Sequence, residues 1–67
     1  MQGSVRFYND ELRYGFIKLD DDSGDCFIHG TTLDRHQLNT LQTNASVDVE
    51  FAVGAKGRYV TKIAVIG

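Results

Sequence analysis

The sequence reads Tyr14-Gly15-Phe16-Ile17 and, after a short polar loop, Asp25-Cys26-Phe27-Ile28-His29. Because successive side chains of a β-strand point to opposite faces, each stretch places rings on one face and small or aliphatic groups on the other. A small protein needs one apolar sheet face for its core, and these stretches add a second face that carries rings. Exposed rings beside basic residues suit stacking against unpaired bases, which contributes about 1–3 kcal/mol per base.

The rest of the chain alternates short β-rich stretches with turn residues, which is typical of an all-β sandwich or barrel. We predict strands at residues 2–9, 13–19, 25–29, 46–53 and 58–65. Residues 30–45 are polar and lack strand alternation, and we expect a single 3₁₀ turn at residues 31–35. Because five short strands would leave bare edges in an open sheet, we predict an antiparallel β-barrel.

The inward positions of these strands form one candidate core. Alternation assigns to it Val5, Gly15, Ile17, Cys26, Ile28, Val47, Val49, Phe51, Ile63 and Val65, with Leu33 or Leu41 as plugs. Tyr14, Phe16 and Phe27 have the opposite parity, so the core does not account for them. Any one of these rings alone would be read as a partly buried strand aromatic, but three on adjacent strands favour a binding surface.

Length and composition limit the possible functions. The 67 residues fit one small, marginally stable domain, spanning residues 1–67, without room for a deep catalytic cleft. The only cysteine, Cys26, cannot form an intramolecular disulfide and is expected to be a small core residue in a reducing compartment. With no leader and no stretch near the roughly 20 apolar residues of a membrane span, we expect a cytoplasmic protein.

The charge balance argues mildly against nucleic-acid binding. Seven Lys and Arg residues stand against nine Asp and Glu residues, for a formal net charge of −2, whereas domains that bind phosphates are usually basic. Arg6, Arg13 and Lys18 nevertheless flank the rings, and four of the acids lie in or beside one loop, at Asp20, Asp21, Asp22 and Asp25. A local basic strip is therefore compatible with this sequence, and its binding would be sensitive to salt.

Other chemistries fit the sequence poorly. His29 and His36 are the only histidines, and with one cysteine they do not supply the roughly four ligands of a zinc site. The acidic stretch 20–25 lacks the pattern of a calcium-binding EF-hand. Gly54 and Gly57 are expected in a hairpin without a following helix, so they do not form a phosphate loop. We therefore expect no catalytic residue, no metal ion and no cofactor.

Two motifs and the start of the chain match the pattern of one known family. Its first motif is Lys-Gly-Phe-Gly-Phe-Ile, where this chain has Leu12-Arg13-Tyr14-Gly15-Phe16-Ile17. Its second is Val-Phe-Val-His-Phe, where this chain has Cys26-Phe27-Ile28-His29-Gly30. Its opening Gly, Val, Lys and Trp-Phe-Asn are matched by Gly3, Val5, Arg6, Phe7, Tyr8 and Asn9. Over nearly its whole length, the chain thus resembles the bacterial cold-shock protein family.

The resemblance implies a five-stranded β-barrel of the OB type that binds single-stranded DNA and RNA with little sequence preference. It also implies activity as an RNA chaperone and, in some members, as a transcription antiterminator. It assigns base stacking to Phe7, Tyr14, Phe16, Phe27 and His29. Tyr8 lies beside these rings and is expected to be partly buried. Because simple alternation from Val5 would turn Phe7 inward, its stacking role requires a bulge or twist in the first strand.

Polar and basic candidates surround the rings. The resemblance assigns phosphate, base or sheet-edge contacts to Arg6, Asn9, Asp25 and Lys56. Arg13 and Lys18 flank the rings and are added as candidate contacts. The last hairpin reads Lys56-Gly57-Arg58-Tyr59 where the family has Arg-Gly-Pro, and Arg58 and Tyr59 complete the candidates. Tyr59 either supplies a further ring or covers the edge of the fifth strand, and we favour the second role.

Departures from the family pattern predict weaker binding than is typical of the family. The family's Phe at the end of the third strand is Gly30, and a ring of its long loop is Leu38. Its Trp is the smaller Phe7, and its Lys-Gly before the first ring is Leu12-Arg13. At about 1–3 kcal/mol per stacked base, two missing platforms would cost several kcal/mol.

Two classes of function remain open on the sequence. The first is a mostly monomeric module that binds single-stranded RNA and DNA, with pyrimidine-rich strands as the expected partners. The second is a small barrel whose rings bind a protein partner or a second copy, and residues 30–45 would be the hinge of a domain-swapped dimer. Steep salt dependence of oligonucleotide binding separates the two classes.

Overall fold

The computed structural model describes residues 1–66, which form five strands and one short helix. In chain order these are β1 (Gln2–Asn9), β2 (Tyr14–Leu19), β3 (Asp25–His29), α1 (Gly30–Arg35), β4 (Ser46–Gly54) and β5 (Gly57–Val65). The strands pair in the order β1-β2-β3-β5-β4, and β4 returns to β1 to close the barrel. The predicted all-β barrel of five strands is confirmed.

One seam of the barrel differs from the antiparallel arrangement of the others. β3 and β5 run parallel, with Phe27 opposite Tyr59, whereas the remaining neighbouring strands are antiparallel. A parallel pair requires a long crossover connection. Here the chain passes through α1 and β4 between β3 and β5, which brings β5 back alongside β3 in the same direction.

The core lies inside the barrel and largely follows the predicted alternation. Its buried residues are Val5, Ile17, Leu19, Cys26, Ile28, Leu33, Leu41, Val47, Val49, Val60 and Ile63. The placement of Val65 in the core was wrong, because this residue at the end of β5 is 46% exposed. Phe51 is only partly buried. The register of β4 against β5 shifts after Glu50, so Val60 replaces the residue that uninterrupted alternation would turn inward.

The connection after β3 contains an α-helix in place of the predicted 3₁₀ turn. His29 caps α1, since its Nδ1 accepts a hydrogen bond from the backbone N–H of Thr31 at 3.2 Å. Leu33 is fully buried, and the Thr32 hydroxyl donates to the carbonyl oxygen of Val60 at 3.4 Å. These contacts hold the helix against the barrel, which makes the local structure more regular than its polar sequence indicates.

The first strand contains the expected bulge. The register of β1 against β2 shifts between Val5 and Phe7, after which Phe7 lies opposite Phe16. Gly15 lies opposite Tyr8, and a Cβ atom on Gly15 would overlap the carbonyl oxygen of Phe7 and lie 2.9 Å from the Cα of Tyr8. The two strands therefore approach closely at a position where only glycine fits.

Cys26 is a buried core residue, as predicted. Burial raises the pKa of its thiol, since the charged thiolate is disfavoured away from water. The side chain is thus held in its protonated form near neutral pH, and the thiol packs as a small apolar group. Within residues 1–66, the structure contains no helix with the length and apolar character needed to span a membrane.

Candidate nucleic-acid interface

Five rings gather on the outer surface of β1, β2 and β3, and we call this surface the aromatic face. Its members are Phe7, Tyr14, Phe16, Phe27 and His29. Phe16 lies at the centre, with its ring centroid 5.6 Å from that of Phe7 and 5.7 Å from that of Phe27. Tyr14 and Phe27 have nearly parallel ring planes with centroids 6.1 Å apart. The rings therefore form one continuous surface.

Strand register brings these rings together. Phe7, Phe16 and Phe27 are direct neighbours across three strands, and Tyr14 lies opposite His29. Cross-strand neighbours on one face have Cβ atoms about 4.5–5.5 Å apart, which is close enough for rings to touch. Regular alternation in β2 and β3 is sufficient for four of the five rings, whereas Phe7 joins them through the bulge in β1.

The aromatic face is accessible to a ligand. Phe7 is 42% exposed and Phe27 is 36% exposed, while Tyr14 and Phe16 are half-buried between their neighbours. Exposed apolar groups that form a contiguous patch mark interaction sites on small soluble proteins. The edge-to-face contact between Phe16 and Phe27 orders the rings and leaves flat apolar surface open above the sheet.

Three of the predicted cations lie close to acids. Arg6 contacts Asp25 at 3.2 Å, and Lys18 lies 4.0 Å from Asp22. Arg13 contacts Asp34 of α1 at 2.7 Å, and this hydrogen bond raises the pKa of Arg13. These pairs are exposed, so each is weak and is readily exchanged for a phosphate. The acids beside these three cations reduce the local positive potential.

Two of the predicted contacts have roles within the barrel. The Asn9 Oδ1 accepts hydrogen bonds from the backbone N–H groups of Glu11 and Leu12, both at 2.9 Å, so this side chain orders the first turn. Tyr8 packs against the core, and its buried hydroxyl lies close to the Arg13 guanidinium, where it helps to raise the pKa of Arg13. Leu38 also packs against the core.

Arg58 joins the acidic loop to β5. Its guanidinium donates to the hydroxyl and to the carbonyl oxygen of Ser23, both at 2.9 Å, and lies 5.3 Å from the ring centroid of Phe51. The loop itself is ordered by hydrogen bonds from Ser23 to Asp21, which hold the pKa of Asp21 below its ordinary value. The structure thus gives Arg58 a bracing role at the border of the candidate site.

A groove runs beside the aromatic face, between β3 and the last hairpin. It has a volume of about 500 Å³ and is lined by Phe16, Phe27 and Tyr59, with Lys56 and Arg58 at its sides. Tyr59 is 44% exposed and pairs with Phe27 along the parallel seam, so it extends the ring surface across to β5. The groove brings the predicted residues of the last hairpin next to the rings.

Arg35 is a neighbour of the site that the sequence did not single out. A second cavity of about 300 Å³ is lined by Phe27, His29, Tyr59 and Arg35, among others. Arg35 ends α1, and the packing of α1 against β5 brings it to this surface. In the sequence, Arg35 is only a basic residue in a segment expected to form a turn. Its position beside the rings depends on a contact between distant parts of the chain, which the sequence does not reveal.

A closed five-stranded barrel with rings on the outer face of three strands defines an OB-type binding barrel. Comparison with known proteins agrees. Residues 1–66 match the family model of the 'Cold-shock' DNA-binding domain. The chain is 38% identical over 65 residues to the cold shock protein of Arthrobacter globiformis, covering 97% of each chain. It is 35% identical over 57 residues to the cold shock-like protein CspG of Escherichia coli K12, covering 85% of this chain and 81% of that protein.

These matches cover nearly the whole chain, and the closed five-stranded barrel agrees with them. The chain belongs to the cold-shock domain family, a family of nucleic-acid-binding proteins.

Proposed function

We propose that the protein binds single-stranded RNA and DNA by stacking unpaired bases on the aromatic face, with little sequence preference. The observation that carries the proposal is the row of rings at centroid spacings of 5.6–6.4 Å on one accessible sheet face. Every base has a π-face, so stacking tolerates any sequence, and rings that hold several bases favour a strand that is not paired.

The same geometry accounts for a preference against duplexes. In a duplex, each base is already stacked on its neighbours and has no free face for a protein ring. A protein that holds splayed bases on Phe7, Phe16 and Phe27 therefore stabilises the open form of a structured RNA. We propose that this is its role in the cell, as an RNA chaperone that also regulates transcription, acting as a binding module and not as an enzyme.

Cations around the rings would neutralise phosphates of the bound strand. Arg6, Arg13 and Lys56 are exposed at different borders of the surface. We include in the proposal a cytoplasmic location, where RNA is abundant, and a mostly monomeric state. A lone cysteine, Cys26, which cannot form an intramolecular disulfide, fits a reducing compartment.

Salt dependence and strand selectivity test the proposal. We expect binding of a labelled pyrimidine-rich oligonucleotide, followed by fluorescence anisotropy, to weaken about 20-fold when the salt rises fourfold, because about three phosphate contacts release about 0.7 counterion each. A duplex of the same sequence should bind far more weakly. Equal affinity for duplex and single strand would contradict the stacking mechanism.

A protein partner is the competing occupant of the aromatic face. The acids beside Arg6, Arg13 and Lys18 favour it, because they lower the attraction for phosphates. If the folded protein fails to bind any single strand at low salt, the rings are available for a protein interface instead.

A further inference from the structure

Arg13 occupies the space that a side chain at position 30 would fill. A Cβ atom on Gly30 would lie 2.5 Å from the Nε of Arg13 and 2.8 Å from its Cζ and Nη2. The backbone N–H of Gly30 also donates to the carbonyl oxygen of Arg13 at 2.8 Å. The guanidinium thus covers the residue that follows His29, at the end of the row of rings.

The backbone of Arg13 adopts a conformation that is unfavourable for a residue with a side chain, at the end of the turn that its N–H closes by donating to the carbonyl oxygen of Asn9. Its φ angle is 57°, in the left-handed region that disfavours residues with a Cβ atom. The side chain is held by Nη2, which donates to the carbonyl oxygen of Gly30 at 3.1 Å and to Asp34 Oδ1 at 2.7 Å. Backbone strain that is fixed by specific contacts is often associated with a functional position.

The guanidinium remains accessible in this position. The Arg13 side chain is 45% exposed. Its Nη2 holds Gly30 and Asp34, the buried Tyr8 hydroxyl lies close to the guanidinium, and the exposed part of the side chain is open to a ligand. A guanidinium is planar, stacks on bases much as an aromatic ring does, and also binds phosphate oxygens. Tyr14 follows Arg13 in the chain and His29 precedes Gly30, and these two rings are paired with each other on the aromatic face.

We propose that the Arg13 guanidinium, held over Gly30 by Asp34, is a further stacking platform that extends the aromatic face by one nucleotide. It takes one base on its plane and attracts a phosphate of the same strand. This inference rests on the proposed function and adds a site to it. It also changes the expectation that Gly30 removes one stacking platform, because the Arg13 guanidinium, a planar cation, fills the space that a Phe at position 30 would occupy.

The length of strand that the protein covers tests this site. The affinity of the wild-type protein for oligothymidylates should rise with length and then level off. In Arg13→Gly we expect this plateau one nucleotide earlier and an affinity for longer strands about tenfold weaker. The salt slope, which is the slope of log affinity against log salt concentration, should be smaller in magnitude by about 0.7 because one phosphate contact is lost. Glycine relieves the left-handed backbone, so this variant should remain folded.

Two further variants distinguish stacking on the planar guanidinium from the attraction of its positive charge for phosphate. Arg13→Lys keeps the charge without the plane, so it should shorten the covered length and retain the salt slope. The double variant Arg13→Gly, Gly30→Phe places a ring in the vacated space. It should therefore restore the length of strand that the protein covers but leave the salt slope as small as in Arg13→Gly. Lys62→Ala is the matched control, since Lys62 pairs with Glu50 at 3.4 Å and lines a cavity with Met1 and His36, apart from the rings.

The outcomes distinguish this site from the rest of the proposal. If Arg13→Gly covers the same length as wild type and loses no more affinity than Lys62→Ala, Arg13 only joins β2 to α1 and the inference is overturned, while the aromatic face stands. If the wild-type protein binds no oligothymidylate of any length, the proposed function fails, and the Arg13 site fails with it.

Discussion

We expect the Phe16→Ala, Phe27→Ala double variant to bind single-stranded DNA at least about 30-fold more weakly than wild type. Phe16 is the central ring of the aromatic face, and Phe27 connects it to Tyr14 and His29. Removal of two stacking platforms costs about 1–3 kcal/mol for each base, or about 2–6 kcal/mol together. Fluorescence anisotropy with a labelled oligonucleotide measures the loss, and circular dichroism establishes that the variant is folded.

The control for this experiment removes exposed apolar groups elsewhere. Val65 and Ile66 are 46% and 51% exposed near the end of β5, and neither lines the groove beside the rings. The Val65→Ala, Ile66→Ala double variant should therefore bind within about twofold of wild type, since surface substitutions away from a site have small effects. If both double variants bind like wild type, stacking on Phe16 and Phe27 does not support binding.

Gly15→Ala should strongly destabilise the barrel. The added methyl group would overlap the carbonyl oxygen of Phe7 and would lie 2.9 Å from the Cα of Tyr8. Both are backbone atoms of the paired strand, so relief requires separation of β1 from β2 at the bulge. We expect a loss of about 3 kcal/mol or more, which is a large share of the roughly 5 kcal/mol expected for a small domain. Urea unfolding measures the loss.

Gly54→Ala is the matched control for that substitution. Its nearest neighbour would be Cε1 of the Tyr59 ring at 3.1 Å, which belongs to a partly exposed side chain that can rotate away. We expect a change below about 1 kcal/mol in this variant. Similar unfolding midpoints for the Gly15 and Gly54 variants would show that β1 and β2 are not closely apposed at Gly15.

The parts of the site that follow strand alternation could be predicted from the sequence. Tyr14, Phe16, Phe27 and His29 lie on regular strands, where the two-residue period alone determines the face. The same period identified most of the core. Alternation alone gave the wrong face for Phe7, because a bulge changes the parity of the following residues, and only the family resemblance placed this ring correctly.

Features that depend on closure of the barrel could not be predicted in this way. Arg35 reaches the site because α1 packs on β5, and Arg58 is held by Ser23 from a distant loop. The register of β4 against β5 shifts after Glu50, and no adjacent glycine or proline indicates this shift in the sequence. Val60 was therefore missed as a core residue. Each of these contacts joins residues far apart in the chain, which local periodicity does not describe.

An NMR titration with a single-stranded oligothymidylate tests the central claim most directly, because it locates the bound strand on the barrel. We expect the largest shift changes in the ring protons of Phe7, Tyr14, Phe16, Phe27 and His29. Asp48 and Lys62, which line a separate cavity that none of these rings borders, should change little. Shifts concentrated around that cavity, or no shifts at saturating oligonucleotide, would contradict binding on the aromatic face.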